Sequence, residues 1–288
     1  MSCQNDKPIN LLVYVVILTL SVDNPGTLAF RNGGKDIQLD MAVKSAAYIF
    51  FQTPEADRAA IDFITTEWAK KPRYLAVWNE ARISVGRNTT IPFGLRREHL
   101  MAIHAYTQAS RLYLDFNEAT RLYGKTDSVY KKKFHFKSFH YLISVALANL
   151  RQNTMFSTYR GVSRLFNAKE KTNVRLGQFS SSAINKAVAI GFLNPNSPNN
   201  TLFEIKTKFG VSISKYSALP NEDEVLIPPI EVFKVAKVDK TSHKHYRVMH
   251  LEAAGCQGKA VTVRMKKGKF VVKREKQKCP IFCKCFAA

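Results

Sequence analysis

The chain has 288 residues, and 45% of them are hydrophobic, which supplies enough apolar surface for a packed core. This composition excludes a largely disordered chain and favours a globular protein. The 44 Lys and Arg residues against 22 Asp and Glu give a formal net charge of +22. Such a charge predicts attraction to anionic partners, such as glycans, membranes, nucleic acid or the pyrophosphate of a dinucleotide, without selecting among them.

Residues 1–29 have the pattern of a signal peptide. A basic residue precedes an apolar run at residues 9–20, which is short for a membrane span, and small and turn-forming residues follow. Cleavage is expected near Ser21 or near Ala29. An uncleaved anchor or a buried strand is the alternative. The segment therefore predicts a secreted protein.

Cysteine usage agrees with secretion. Without the leader an even number of cysteines remains, consistent with two disulfides whose three pairings stay open: Cys256, Cys279, Cys283 and Cys285. A zinc site is the alternative because three histidines precede the last three cysteines, but the paired C-x2-C spacing of structural zinc sites is missing. Glycosylation sequons at Asn88 and Asn199 are also consistent with secretion.

The first half of the remaining chain has helical patterns. Thr53 and Pro54 predict a helix start, with Thr53 as N-cap and Pro54 in the first position, and Pro72 is expected to end this helix. Helical spacing returns at residues 98–113. The clearest helix has one apolar face, formed by Phe139, Leu142, Ile143, Ala146, Leu147 and Leu150.

From Thr154 onwards, short runs rich in β-branched and aromatic residues predict strands. They lie at residues 155–159, 174–179, 202–207, 225–227, 230–236 and 261–272. Helices followed by strands, without βαβ alternation, predict an α+β fold in which an N-terminal helical part packs on a core of antiparallel sheets.

Several common motifs of nucleotide-binding proteins and hydrolases are missing from the sequence: G-x-G-x-x-G, the P-loop, H-E-x-x-H and G-x-S-x-G. A sparser set of polar residues remains. It comprises Arg160 at the end of a predicted strand, the serine triplet 180–182, expected to open a helix, and the acidic triplet 222–224. If the acidic triplet enters the following strand, Glu222 and Glu224 share one face and two carboxylates converge.

In this order, the three motifs resemble those of the arginine-specific mono-ADP-ribosyltransferases of the vertebrate ecto-enzyme type, which carry an Arg, a serine-rich motif and E-x-E. The resemblance extends from about residue 40 to residue 250. Its most specific strings are Gly-Gln-Phe-x-Ser-Ser from Gly177 and Glu-Asp-Glu-Val-Leu-Ile-Pro-Pro from Glu222. It implies an ADP-ribosyltransferase fold with an NAD cleft, a catalytic domain at 30–252 and a basic, cysteine-containing extension at 253–288.

The resemblance also implies the role of each site residue. Glu224 would stabilise the oxocarbenium-like ribose that forms as nicotinamide leaves, and Glu222 would orient the acceptor guanidinium and take its proton. Arg160 would hold the dinucleotide, and Ser181 would support the nicotinamide pocket and the catalytic glutamate. Gly161 would allow close approach to the nicotinamide amide. Further NAD contacts are expected from a group of three residues: Tyr106, Gln178 and Ser217.

The implied co-substrate is NAD⁺, with NADP⁺ left open, and no metal is expected. The implied partners are target proteins with exposed arginine. The loop 212–223 resembles the family's segment that presents the target to the site. The basic charge is expected to attract glycans or membranes. A monomer without specific nucleic-acid binding is expected. The Lys-rich C-terminal end argues against a GPI anchor, and the lack of cysteine between Gly26 and Gly255 excludes the family's usual disulfides from the first half to the tail.

Two alternative functions remain at this point. With water as the acceptor, the same chemistry gives an NAD glycohydrolase. A catalytically silent, basic binding protein on the same fold is the other alternative, although two like charges facing one another have no evident purpose in such a protein.

Overall fold

The computed structural model describes residues 36–275, so the predicted signal peptide and four of the five cysteines lie outside them. In this part of the chain the helices are α1 (Pro54–Glu67), α2 (Pro72–Ser84), α3 (Arg97–Thr107), α4 (Arg111–Leu122), α5 (Asp127–Lys133), α6 (Lys137–Leu150) and α7 (Lys186–Gly191). The strands are β1 (Ile37–Gln38), β2 (Tyr48–Phe50), β3 (Phe156–Val162), β4 (Phe166–Asn167), β5 (Asn173–Val174), β6 (Ser180–Ala183), β7 (Thr201–Thr207), β8 (Val211–Ser212), β9 (Glu224–Ile227), β10 (Glu231–Asp239), β11 (Arg247–Cys256), β12 (Lys259–Lys266) and β13 (Lys269–Arg274). The predicted α+β class is confirmed.

Helix α1 starts where the sequence predicts. The Thr53 hydroxyl accepts a hydrogen bond from the Ala56 backbone N–H at 3.1 Å, and Pro54 takes the first helical position. The expectation that Pro72 ends this helix is wrong, because α1 ends at Glu67 and Pro72 begins α2. A first-turn proline costs nothing there, since its missing N–H would have no partner within the helix.

Helix α6 lies in the middle of the helical layer. Its predicted apolar face is buried apart from Leu150, which is partly exposed. His140, Tyr141 and Val145, which lie off that face, are buried as well. The helix is therefore enclosed on several sides, and its packing extends beyond the single stripe that the sequence suggested.

The main sheet has eight strands in the order β5-β10-β11-β7-β3-β6-β9-β8. Its pairs are antiparallel except β11 and β7, which are parallel. Parallel pairs also join β12 to β2 in a three-stranded sheet and β1 to β4 in a two-stranded one. The eight-stranded and three-stranded sheets are thus mixed and the two-stranded sheet is parallel, so the expected core of antiparallel sheets also contains parallel pairs.

Three segments differ from the predicted elements. The serine triplet does not open a helix but forms β6. Only the first residue of the predicted strand 174–179 pairs in the sheet, since Arg175 instead donates hydrogen bonds to the carbonyls of Met41, Ala42, Pro229 and Gln257. Strand β11 was not predicted, and it runs through the proposed domain boundary at 252/253.

The predicted strand 261–272 is a hairpin of β12 and β13, turned by Lys267 and Gly268 with φ of 51° and 68°. Two successive residues with positive φ are typical of the type I′ hairpin turn. Val261, Val263 and Phe270 of this hairpin are buried in the same core as the helices. The chain as far as Arg274 therefore contributes to the folded body.

Candidate active site

Three adjacent strands bring the sequence motifs together. The serine strand β6 lies between β3, which carries Arg160, and β9, which begins at Glu224. Ala183 is the direct partner of both Tyr159 and Glu224. Because neighbouring strands are about 4.8 Å apart, motifs that are distant in sequence become close neighbours in space.

Glu224 is buried, with 5% of its surface exposed. Burial raises the pKa of its carboxyl to about 7, against a hydrogen bond from the Ser181 side chain that lowers it. The nearby charge of Glu222 raises this pKa further, and the charge of Arg160 lowers it. The carboxyl is therefore surrounded by three of the residues that the sequence assigned to the same site.

Glu222 reaches the site differently from the predicted strand alternation. It ends a short 3₁₀ turn at Pro220–Glu222, and Asp223 then adopts a left-handed conformation with φ of 44° before β9 begins at Glu224. The turn, and not a shared strand face, brings the two carboxylates together. Glu222 is only partly buried, and burial raises its pKa.

Arg160 is accompanied by a second guanidinium that the sequence analysis missed. Arg160 donates a hydrogen bond to the Ser181 carbonyl at 2.7 Å, and Arg121 on α4 donates one to the Gln178 side chain. Burial lowers the pKa of both guanidinium groups, and the charge of Arg160 further lowers that of Arg121. Carboxylates lie near both groups as well, since the charge of Glu118 raises the pKa of Arg121 and the charge of Glu224 raises that of Arg160.

Tyr106 lies beside this cluster, and Ser217 lies in the loop that leads to Glu222. The buried Tyr106 hydroxyl donates to the Phe179 carbonyl at 3.0 Å and accepts from the Asn117 side chain at 2.9 Å. Burial raises its pKa to about 12. Ser217 is 8% exposed, and its hydroxyl accepts from the Leu219 backbone N–H at 2.9 Å. In the structure the Tyr106 side chain holds the backbone just before β6, and the Ser217 side chain holds the backbone of the loop that carries Glu222.

Gly161 is required by packing. A Cβ atom added there would lie 1.9 Å from the Ala189 carbonyl oxygen of α7 and 3.1 Å from the Leu193 side chain. The absence of a side chain thus lets α7 approach the strand that carries Arg160. This demand on residue 161 is separate from the predicted contact with nicotinamide.

Two further observations apply to residues 36–275. No three His, Cys, Asp or Glu side chains in this region are grouped so as to hold a metal ion. None of its helices combines the length and the apolar character needed to cross a membrane.

Residues 52–256 match the family described as NAD:arginine ADP-ribosyltransferase. This chain belongs to that family. It is 40% identical over 176 residues to "NAD(P)(+)--arginine ADP-ribosyltransferase 2" of Gallus gallus, and the match covers 59% of this chain and 55% of the relative. It is 31% identical over 251 residues to the "Erythroblast NAD(P)(+)--arginine ADP-ribosyltransferase" of Gallus gallus, covering 84% and 82%.

Solved family structures have the same fold. The eukaryotic mono-ADP-ribosyltransferase ART2.2 aligns with a TM-score of 0.63 and 28% identity, covering 84% of this chain and 97% of that one. A mutant of ART2.2 in complex with NAD aligns with the same TM-score and 27% identity, covering 84% and 97%. The family and the fold that the sequence suggested are both confirmed.

Proposed function

We propose that this chain transfers ADP-ribose from NAD⁺ to arginine side chains of target proteins and releases nicotinamide. One observation carries the proposal. The Ser181 side chain forms a hydrogen bond with the Glu224 carboxyl, and its carbonyl accepts one from Arg160, while Glu222 is close enough to raise the pKa of Glu224. This arrangement combines an anion-binding group, a buried carboxylate and a second, more accessible carboxylate. Family membership supports the same chemistry.

In the proposed reaction the bond between nicotinamide and ribose C1′ breaks, and its electron pair leaves with nicotinamide. The ribose then carries positive charge, which the Glu224 carboxylate stabilises. An arginine nitrogen forms the new bond to C1′ and loses a proton to Glu222. Because Glu222 is only partly buried, it can meet a guanidinium that arrives from outside the protein.

NAD⁺ is the substrate, and the residues present fit its diphosphate. Arg160 is close enough to lower the pKa of the Arg121 guanidinium, although Glu118 raises the pKa of Arg121 and Glu224 raises that of Arg160, and both arginines donate hydrogen bonds to uncharged acceptors. A diphosphate would relieve this repulsion and accept paired hydrogen bonds from planar guanidinium groups. NADP⁺ is a second donor to be tested, since several relatives carry NAD(P)(+) in their names.

Glu222→Gln should separate transfer from hydrolysis. With labelled NAD⁺ and agmatine, we expect transfer to fall about 100-fold because the acceptor loses its base, while nicotinamide release stays within a few-fold. Asp223→Asn is the matched control, because it removes one charge from the adjacent exposed residue, and it should leave both activities unchanged.

Each other outcome of this assay has a defined meaning. Equal loss of both activities in the Glu222 variant would refute the separate roles. Nicotinamide release without transfer by the wild type would identify an NAD glycohydrolase. A wild type that binds NAD⁺ without turnover would identify a silent binding protein.

We also propose that anionic surfaces contact the β12–β13 hairpin. Its exposed tip carries four basic residues: Arg264, Lys266, Lys267 and Lys269. Lys266 and Lys269 are direct cross-strand partners, and like charges in that position repel each other. A sulfated glycan would relieve this repulsion.

Removing three charges at this tip should weaken binding to immobilised heparin. We expect the triple variant Lys266→Gln, Lys267→Asn and Lys269→Gln to elute at clearly lower salt, since each lost contact reduces counterion release. The control removes three exposed charges elsewhere: Lys169→Gln, Lys234→Gln and Lys240→Gln. Equal shifts for the two variants would show that net charge alone governs binding, and would contradict a role for the hairpin.

We propose further that the protein is a secreted monomer. The predicted leader lies outside the described residues, and both sequon asparagines, Asn88 and Asn199, are exposed as glycosylation requires. Cys256 is disulfide-bonded, and the other cysteines of the predicted pairs lie outside residues 36–275. Relatives named as ecto-enzymes or GPI-linked enzymes support an extracellular site.

A further inference from the structure

The loop that carries Glu222 is held at its base by backbone hydrogen bonds. The Ile213 N–H donates to the Glu224 carbonyl at 3.0 Å, and the Ile213 carbonyl accepts from Tyr216 and Ser217 at 2.8 and 2.9 Å. These bonds close the segment 213–224 onto the start of β9. They do not by themselves fix the middle of the loop relative to the helical layer.

The last turn of α3 supplies that second attachment. The Ala218 backbone N–H donates to the Thr107 hydroxyl at 2.8 Å, while this hydroxyl lies 3.2 Å from the Ile103 carbonyl and 3.1 Å from the His104 carbonyl. A threonine hydroxyl can accept one bond and donate another, so both contacts form together. The side chain of His104 makes a further hydrogen bond to the backbone of Tyr216.

The same turn of α3 also holds the serine strand. Tyr106, next to Thr107 in sequence, donates its hydroxyl hydrogen bond to the Phe179 carbonyl just before β6. Neighbouring residues of one helical turn are thus bonded to the Ser181 strand and to the Glu222 loop. Thr107 is 8% exposed, so its hydrogen bond to Ala218 is largely shielded from water.

We infer that Thr107 is a positioning residue that fixes the Glu222 loop on α3 and thereby sets where the acceptor carboxylate stands relative to Glu224. This inference rests on the proposed function. Glu224 is anchored separately, through β9 and Ser181. Thr107 should therefore affect transfer to arginine and leave cleavage of the nicotinamide bond intact.

Thr107→Val tests this role, because valine keeps the shape and removes the hydroxyl. We expect kcat for agmatine ADP-ribosylation to fall about tenfold, with the KM for NAD⁺ and the rate of nicotinamide release within twofold of wild type. Thr107→Ser should restore transfer. Thr120→Val is the matched control: Thr120 is fully buried on α4, and its hydroxyl donates to the Phe116 carbonyl at 2.8 Å without contacting the loop. It should not change the ratio of transfer to hydrolysis.

Hydrogen exchange separates failure of this inference from failure of the proposed function. In Thr107→Val, the Ala218 amide should exchange at least tenfold faster than in wild type, and in Thr107→Ser its protection should return. Unchanged exchange at Ala218, or equal loss of transfer and hydrolysis, would overturn the positioning role. If wild type transfers nothing to agmatine, the proposed function fails, and the exchange rates alone decide whether Thr107 holds the loop.

Discussion

Glu224→Gln should abolish most of the enzyme's activity and yet make the protein more stable. We expect nicotinamide release and arginine modification to fall together by about 100-fold or more, because a neutral amide cannot stabilise the positive charge on ribose. Rates of nicotinamide release with labelled NAD⁺ measure this effect. Glu231→Gln is the control: Glu231 is another buried glutamate whose pKa burial raises to about 7, but it bonds Thr207 and the backbone of Lys208 and Phe209.

The gain in stability follows from the pKa of the Glu224 carboxyl. Burial raises this pKa from 4.5 to about 7, so the folded state retains a proton that the unfolded chain releases. Burial of this carboxyl therefore costs nothing through ionisation below pH 4.5, and the cost accumulates between pH 4.5 and about pH 7, where the folded state holds the proton and the unfolded chain does not. Above pH 8 this cost is on the order of 3 kcal/mol, which corresponds to roughly 5 °C or more in Tm.

Thermal unfolding between pH 4 and pH 8.5 tests this prediction. The Tm of Glu224→Gln should match that of wild type at pH 4, exceed it increasingly between pH 4.5 and pH 7, and exceed it by a constant amount at higher pH. The wild-type rate of nicotinamide release should rise through pH 7 as Glu224 ionises. A Tm difference that does not change with pH would contradict the assignment of a buried, protonated carboxyl.

Gly161→Ala should destabilise the protein through backbone packing. A methyl group at this position would lie 1.9 Å from the Ala189 carbonyl oxygen, so either α7 or β3 must move. We expect a loss of about 1–3 kcal/mol in the free energy of unfolding, with NAD⁺ turnover reduced more than stability alone explains, because Arg160 precedes the shifted residue. Urea unfolding and turnover of the folded protein measure the two effects.

Gly86→Ala is the control for this substitution. At Gly86 the nearest atom to an added Cβ is the Ile83 carbonyl oxygen at 3.7 Å, an ordinary contact. Its stability should stay within about 0.5 kcal/mol of wild type. A Gly161→Ala protein that is as stable and active as this control would contradict the prediction, because it would show that α7 can move away from β3 without loss of stability.

Local chemistry made part of this structure predictable. The N-cap at Thr53 and the apolar face of α6 depend on residues close in sequence, and both were predicted from the pattern. The expectation that the serine triplet opens a helix is wrong because serine has only a weak local conformational preference. Pairing with β3 and β9 on its two sides makes the triplet a strand. The sequence does not predict strand β11 because Ala253, Ala254 and Gly255 are not residues typical of strands.

The site was predictable in its residues more than in its geometry. The resemblance of the motifs to a known transferase family pointed to Arg160, Ser181 and Glu224, which lie close together in the structure. The contacts of Arg121 and Thr107 are made with residues far along the chain, at Gln178 and Ala218, so no local pattern could reveal them. The approach of Glu222 to Glu224 depends on the left-handed conformation of Asp223. An acidic triplet in the sequence does not predict such a turn.

The parallel pairing of β2 with β12 has a consequence for how the protein is made. Tyr48 and Lys259, near opposite ends of the described chain, are direct partners in this pairing. During synthesis, at roughly 5–20 residues per second, the ribosome produces β2 early, and β12 follows about two hundred residues later. Until then the backbone groups of β2 that pair with β12 have no partner strand, and such an unpaired edge is prone to pair with another chain.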